Sequence, residues 1–214
     1  MNKLLLIFSL AFSCFASADE QYKWNKLCIP SEQVTQKFMG VELTDSNRAK
    51  VTIDAEQVAH DVIGYKTSGV GTFGSEIIHP LILTVQDQSQ YIKEAHSHLA
   101  NFSQGTGRFQ KVKLVTEQQG AFVKTFEQFP NGILNNDFWW VTKVKAGSKV
   151  PVDAASNWFF GSCFLANKTC NRLVYTNNYA VEFSYHFDNS GVVTDIEEFI
   201  KNKINNWETS CKSA

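Results

Sequence analysis

The chain has 214 residues, of which 43% are hydrophobic, 13% aromatic and 19% charged, and its formal net charge is −1. This much apolar material excludes an intrinsically disordered chain, because burial of apolar surface can offset the entropy of ordering. The near-neutral charge argues against a dedicated nucleic-acid-binding protein, which normally carries a basic excess.

A predicted secretory signal peptide comes first in the chain. The single charge of Lys3 is followed by an apolar run over residues 4–15 and by small residues at 16–18, which is the order found in such signals. The apolar run is shorter than the roughly 20 residues that span a bilayer. We therefore expect cleavage after Ala18 and a soluble mature protein in the bacterial periplasm or outside the cell. Acylation at Cys14 is the alternative that would change this expectation.

Helix and strand patterns alternate over the next part of the chain. Residues 31–39 begin with a helix-capping serine and end before Gly40, which predicts a short helix. Residues 50–54 alternate apolar and polar side chains, as a strand does. Asp54 then begins a capping box, and the apolar spacing behind it predicts a helix that ends at Gly64.

A buried strand and a third helix are predicted next. Residues 76–86 are dense in Ile, Leu and Val, and Pro80 among them indicates a bend or an edge position. Asp87 begins a second capping pattern, which predicts a helix with one apolar stripe. That stripe consists of Ile92, Ala95, Leu99 and Phe102.

After residue 108 the pattern becomes that of strands. Residues 109–114 and 122–126 predict a hairpin that turns at residues 118–120. Aromatic-rich or alternating segments then predict further strands, over residues 138–145, 158–165 and 179–187.

The last predicted element is a helix. Thr194 and Glu197 form a third capping box. Helices packed on a sheet of this kind predict an α+β fold, a mostly antiparallel sheet with about four helices packed on it and cross-linked by disulfides. Residues 19–214 then form a single domain, and a subdomain boundary near residue 105 stays open. The last helix is expected to direct five side chains inward, those of Ile196, Phe199, Ile200, Ile204 and Trp207.

Four cysteines remain once the predicted signal peptide is removed, Cys28, Cys163, Cys170 and Cys211. An even number of cysteines in an oxidising compartment predicts two disulfides. Of the three connectivities, we favour Cys163–Cys170 across a pinched hairpin and Cys28–Cys211 between the ends of the mature chain. The sequence does not exclude the other two.

A glycine-rich segment is the first candidate contact with a partner. Its letters match the dinucleotide-binding fingerprint, but that motif needs a strand before it and a helix after it. Here a helix comes before the segment and a strand-like stretch after it, so we interpret it as a surface loop that a partner backbone can approach closely. The segment consists of Gly69, Val70, Gly71, Thr72, Phe73 and Gly74.

Other residue clusters do not form a catalytic or metal site in our interpretation. His96 and His98 lie on a predicted helix, where residues two apart point in different directions. Cys163, followed by His186 and Asn189, has the chain order of some cysteine peptidases, but the nearby cysteine favours a disulfide. We expect no cofactor, no metal and no assigned catalytic residue. A carboxylate pair that forms only in three dimensions stays open.

Two aromatic runs are the second candidate contact. Residues 138–140 and 158–160 each combine Trp and Phe, and neighbours on a strand point to opposite faces. One ring of each run is then expected in the core, and its neighbour at a surface groove. The candidate contact residues are Trp139, Trp140 and Trp158.

These observations favour a binding protein over an enzyme. An exported, disulfide-linked chain without a catalytic motif fits an inhibitor or immunity-type protein that neutralises a cell-envelope toxin or enzyme by occluding its active site. The expected partner is then a protein and not a nucleic acid. Two alternatives stay open, a periplasmic small-ligand or cell-wall-binding module and an envelope hydrolase without a recognised motif.

Overall fold

The computed structural model describes residues 20–71, 74–92, 113–119, 122–143, 159–164 and 168–212. The predicted signal peptide, its cleavage site and the boundary considered near residue 105 lie outside these ranges. The strands are β1 (Gln21–Trp24), β2 (Leu27–Pro30), β3 (Lys37–Phe38), β4 (Val41–Glu42), β5 (Arg48–Ile53), β6 (Ser68–Val70), β7 (Glu76–Ile78), β8 (Leu81–Asp87), β9 (Lys113–Gln119), β10 (Phe122–Gln128), β11 (Leu134–Lys143), β12 (Phe159–Phe164), β13 (Thr169–Tyr175) and β14 (Tyr179–His186).

Eight of these strands form one sheet, in the order β5-β8-β14-β13-β12-β11-β10-β9. The remaining six form three separate hairpins, β1–β2, β3–β4 and β6–β7. All of these strand pairs are antiparallel. Pro80 separates β7 from β8, so the single strand predicted over residues 76–86 is two strands in different sheets. Proline has no N–H to donate to a ladder, which explains the break.

The prediction of about four helices packed on the sheet is wrong. Strands make up 44% of the structure and dominate it, and the part that it describes has only three helices. Helix α1 (Ala55–Asp61) is short, residues 88–92 are helical, and α2 (Val193–Lys212) is long. Ala95, Leu99 and Phe102 of the helix predicted after Asp87 lie outside the described residues. Two 3-10 turns, Ser31–Gln33 and Phe187–Val192, add little to the helical content. None of the helices among the described residues has the length and apolarity needed to cross a membrane.

The α-helix predicted over residues 31–39 is not formed. After the 3-10 turn, the chain forms the β3–β4 hairpin, in which Phe38 pairs with Val41. Met39 and Gly40 both have positive φ angles, 48° and 81°, and two such residues make the tight turn that joins antiparallel strands. Gly40 is therefore a turn residue and not the end of a helix. Pairing with β5, through the bridge between Val34 and Val51, holds the segment extended.

The core lies between the sheet and helix α2. Burial alternates along β5 and β8, and the inward side chains form one buried cluster with those of β14 and the helix. The alternation reflects the two faces of a strand. All five side chains that the sequence directs inward from the last helix are buried: Ile196, Phe199, Ile200, Ile204 and Trp207.

Two disulfides join the four cysteines, and the favoured connectivity is confirmed. Cys28 in β2 bonds to Cys211 at the end of α2, across a sequence separation of 183 residues. Cys163 bonds to Cys170, its direct partner across β12 and β13. Two disulfides are compatible with a periplasmic or extracellular location, because both compartments are oxidising.

Candidate functional site: a buried histidine pair beneath a hairpin

The predicted glycine-rich contact lies in the hairpin β6–β7, which we call the glycine hairpin. Its turn is closed by hydrogen bonds from the Gly71 amide to the Ser75 carbonyl, 2.8 Å, and from the Gly74 amide to the Gly71 carbonyl, 3.1 Å. Gly74 has a φ of 76°, a conformation that favours glycine. Thr72 and Phe73 lie outside the described residues. The segment is thus a hairpin with a definite register and not an open loop.

Two histidines stack beneath this hairpin. The rings of His79 and His186 have their centroids 3.8 Å apart and are inclined by 14°. Only 4% of His79 and 7% of His186 is exposed. His79 follows β7, and His186 is the last residue of β14. The stack therefore joins the glycine hairpin to the end of the main sheet.

Hydrogen bonds to the backbone indicate which ring nitrogens carry protons. Nδ1 of His186 accepts from the amide of Asp188 at 3.3 Å, so this nitrogen has a free lone pair and the proton lies on Nε2. Nδ1 of His79 lies 3.3 Å from the carbonyl oxygen of Lys66, to which it can only donate. Nε2 of each ring is buried without a hydrogen-bond partner among the described residues. His186, whose Nδ1 accepts a hydrogen bond, is therefore held as a neutral ring.

The environment of His186 opposes its protonation. Burial is the largest influence, and together with the neighbouring His79 and the charge of Lys168 it lowers the pKa of His186 below the usual value. The carboxylate of Asp188, with Oδ2 3.5 Å from Nδ1, acts in the opposite direction but does not reverse the shift. The charged form is therefore disfavoured in the folded protein.

Three further contacts hold the glycine hairpin on the sheet. The buried side chain of Asn189 accepts from the Lys66 amide at 2.7 Å and donates to the Lys66 carbonyl at 3.1 Å. The Tyr65 hydroxyl donates to the His79 carbonyl at 2.6 Å, and burial raises the pKa of Tyr65 to about 12. Nζ of Lys168 donates to the carbonyl of Val70 at 3.1 Å. Both ends of the hairpin and one of its strands are thus fixed.

The outer face of the hairpin carries two exposed apolar side chains beside a hydrogen-bonded Ser68–Glu76 pair. Val70 is 58% and Ile78 72% exposed. The register pairs Ser68 with Ile78 and Val70 with Glu76, so these four residues share one face. Phe164 and Phe187 are also exposed at the same end of the sheet, beside Lys168. We call Val70, Ile78, Phe164 and Phe187 the apolar rim.

Gly69 lies on the inner face of the hairpin, directly against the histidine pair. A β-carbon added there would lie 2.6 Å from Cε1 of His79 and 3.0 Å from Oδ2 of Asp188. Contacts as short as the first do not occur between real atoms, and His79 is buried and cannot swing away. The position therefore requires glycine for close approach.

We expect Gly69→Ala to lower the free energy of unfolding by about 1–3 kcal/mol, the usual effect of overpacking. Gly191→Ala is the matched control, because an added β-carbon there meets no described atom within 4 Å. That variant should stay within roughly 0.5 kcal/mol of the wild type. Urea unfolding of both variants makes the comparison, and equal stability of the two would show that Gly69 does not pack against His79 as described.

Two of the predicted tryptophans lie in a strand that β12 and β13 separate from β14, the strand of His186. Trp139 and Trp140 lie in β11, where they pair with Phe126 and Thr125 of β10. Trp158 lies outside the described residues. The aromatic-contact hypothesis therefore stays a prediction.

The cysteine-peptidase and metal-site patterns considered in the sequence can be compared with the structure. Cys163 is part of a disulfide, which removes the thiol that a cysteine peptidase needs. His186 and Asn189, considered there as its partners, instead belong to the histidine pair and its support. His96 and His98 lie outside the described residues. No group of three or more His, Cys, Asp or Glu within the described ranges is arranged to hold a metal ion.

Two polar features were missed by the sequence reasoning. On the sheet face opposite α2, Lys50, Thr84 and Glu182 lie side by side on β5, β8 and β14, and Nζ of Lys50 donates to the Thr84 hydroxyl at 3.3 Å. Burial lowers the pKa of Lys50 and raises that of Glu182. An open cavity of about 420 Å³ lies between α1 and α2, lined by carboxylates such as Asp61 and Asp195. Neither feature includes a residue of the histidine pair.

The sequence contains no motif that indicates the histidine pair. Each histidine is a single polar residue next to an apolar run, and neither has a neighbouring histidine or cysteine that would form a motif. A signal was present in β14, because the alternation over residues 179–187 places His186 on the same face as Glu182 and Ser184.

No protein-family model matches the chain, and no curated protein or solved structure is significantly similar to it. The residues of the chain itself are therefore what indicates its function. The features that support it best are the histidine pair, the glycine hairpin above it and the apolar rim.

Proposed function

We propose that this is an exported bacterial binding protein of the inhibitor or immunity type, which neutralises a cell-envelope toxin or enzyme by occluding its active site. In this proposal the glycine hairpin and the apolar rim contact the partner. The two disulfides support an oxidising destination, and the predicted signal peptide supports export.

The observation that carries the proposal is an apolar surface on a hairpin that is fixed in advance. Val70 and Ile78 project from a backbone that Asn189 and Lys168 hold by hydrogen bonds. Exposed apolar patches mark interaction sites, and a hairpin that is already ordered loses little conformational entropy when it binds. Both properties suit a segment that enters the cleft of another protein.

The test compares a rim variant with a matched surface variant. The double variant Val70→Asp, Ile78→Asp places charges in the apolar rim, and we expect it to lose a stoichiometric protein partner that the wild-type mature protein recovers from envelope extract. Buried charges without partners weaken an interface strongly, so a loss of at least tenfold in affinity is expected. Both sites are exposed, so folding should be unaffected.

Val41→Asp is the control, because Val41 in β4 is 61% exposed and lies outside both the rim and the cavity between α1 and α2. It should bind as the wild type does. The purified partner must also lose its activity when the wild-type protein is added. Failure to recover any stoichiometric protein partner, or equal binding by the rim variant, would overturn the proposal.

A small-ligand or cell-wall-binding module is the second candidate, and the cavity between α1 and α2 favours it. Its carboxylates and the amides of Asn202 and Asn206 can hydrogen-bond to hydroxyl groups. Recovery of cell-wall material in place of a protein in the same pull-down would favour this candidate over the first.

A further inference from the structure

We propose that the neutral form of His186 holds the glycine hairpin closed, and that protonation of this side chain releases the hairpin. The structural part of the proposal concerns this chain alone. Its consequence, weaker binding of the partner in acid, rests on the proposed function.

The first step is the loss of a cap. The 3-10 turn Phe187–Val192 begins at His186, whose Nδ1 accepts from the amide of Asp188. A histidinium ion has N–H groups at both ring nitrogens and no lone pair to accept with. Protonation of His186 therefore places two donors against each other and removes the cap from the turn.

The second step transmits this change to the hairpin. The turn carries Asn189, which makes both hydrogen bonds to the backbone of Lys66, two residues before β6. Asn189 is only 1% exposed, so its position depends on that of the turn. When the turn loosens, the hairpin loses the clamp at its start.

The third step acts through the stack. A charge on His186 would lie against the face of the buried His79 ring, and Nε2 of His186 has no acceptor among the described residues. A buried charge without sufficient partners is costly. Separation of the rings relieves this cost, and Gly69, which lies against His79, moves with the hairpin.

The charged and titratable groups around the histidine pair determine whether protonation of His186 is favoured or opposed. Asp188 favours protonation of His186, whereas His79 and Lys168 oppose it. On β7, Glu76 accepts from the Ser68 hydroxyl at 2.8 Å on the outer face. The Tyr65 hydroxyl is bound to the His79 carbonyl. Among the described residues, only Asp188 stabilises the charge directly. Its side chain is partly exposed, which weakens its effect.

The sign of the pH dependence follows from the lowered pKa of His186. Its contribution to the closed state is complete above the pKa of an exposed histidine, about 6.5. It is lost as the pH falls from that value through the lower pKa of the closed state. Acidification therefore opens the hairpin, and neutral pH closes it.

Hydrogen exchange on the isolated mature protein tests this inference. Protection factors of the amides of Ser68–Val70 and Glu76–Ile78 are measured at about pH 7.5 and about pH 5, each corrected for the intrinsic rate. We expect protection in the hairpin to fall roughly tenfold in acid while that of β5 stays constant, since β8 separates β5 from β14 and His186.

His186→Asn separates the cap from the titration, because an asparagine side chain accepts from a backbone amide at every pH. The variant should keep its hairpin protection in acid. His60→Asn is the control, since the His60 side chain is 86% exposed, and it should open as the wild type does. Because asparagine is smaller than the imidazole ring and fills the site less completely, the ring proton of His186 in the wild type is also followed by NMR.

Three results would overturn the inference: unchanged hairpin protection in acid, equal opening in His186→Asn, or titration of His186 without a lowered pKa. Since no partner is present in this experiment, its failure leaves the proposed function standing. Conversely, a failed pull-down does not affect the result of the exchange measurement.

Discussion

Removal of the Cys28–Cys211 disulfide is expected to lower the free energy of unfolding by about 5 kcal/mol. The bond closes a loop of 183 residues, and the entropy that a cross-link removes from the unfolded chain grows with the length of the loop. It also attaches the end of α2 to β2, where the Ser210 hydroxyl donates to the Cys28 carbonyl at 3.5 Å. Cys28→Ala with Cys211→Ala is the variant to use, since Cys28 is buried.

The control for this prediction is removal of the second disulfide by Cys163→Ala with Cys170→Ala. That bond closes only seven residues, and its loss should lower the free energy of unfolding by about 2–3 kcal/mol. Guanidinium unfolding of the two variants gives the comparison. An equal loss of unfolding free energy in both variants would contradict the prediction that the bond closing the longer loop stabilises the protein more.

Phe183→Ala is expected to have an effect of similar size, about 3–5 kcal/mol. Phe183 is fully buried in β14, at the centre of the core between the sheet and α2, and its ring lies 5.8 Å from that of Tyr185. The truncated side chain leaves a cavity that the surrounding strands cannot fill, because β14 is paired on both sides.

Phe38→Ala is the matched control for the core substitution. Phe38 lies at the end of β3, and 63% of it is exposed. Its loss should change the free energy of unfolding by less than about 0.5 kcal/mol. A core variant that unfolded at the same urea concentration as this control would show that Phe183 does not occupy the centre of the core.

The molecule has two parts, a stable core and the glycine hairpin, and the inferred histidine switch lies where they meet. The stable part is the sheet with α2, fixed by Phe183 and the long disulfide. The glycine hairpin is a small separate sheet, attached to this core by a few hydrogen bonds and the histidine stack. Segments attached in this way open at lower free energy than the core. A single protonation can therefore act on the hairpin without unfolding the protein.

Local signals in the sequence determined several elements correctly. The cap at Asp54 is present, with its side chain accepting from the Glu56 amide at 2.9 Å. The predicted hairpin that ends in the strand over residues 122–126 is present, but its first strand is β9, so residues 118 and 119 pair with β10 and do not form the turn. Capping and periodicity depend on residues a few positions apart, which is why a sequence is sufficient to recognise them.

Local signals failed where distant pairing decided the conformation. Residues 31–39 satisfied a helix pattern, but pairing with β5 and the turn at Met39 and Gly40 made them extended. The eight-stranded order likewise places β8 beside β14, an arrangement that no short stretch encodes. Tertiary contacts override weak local propensity in such segments.

By itself, the sequence determined the buried stripe of α2, favoured the disulfide pairing that the structure contains and indicated the glycine-rich segment as a candidate contact. Only the tertiary structure decided that this segment is a hairpin seated on His79 and His186, and that Asn189 holds Lys66 across 123 residues of chain. The physical reason is the separation along the sequence over which each kind of interaction acts. Periodicity and caps act within a few residues, whereas a buried polar pair exists only after the sheet has brought distant side chains together and excluded water from them.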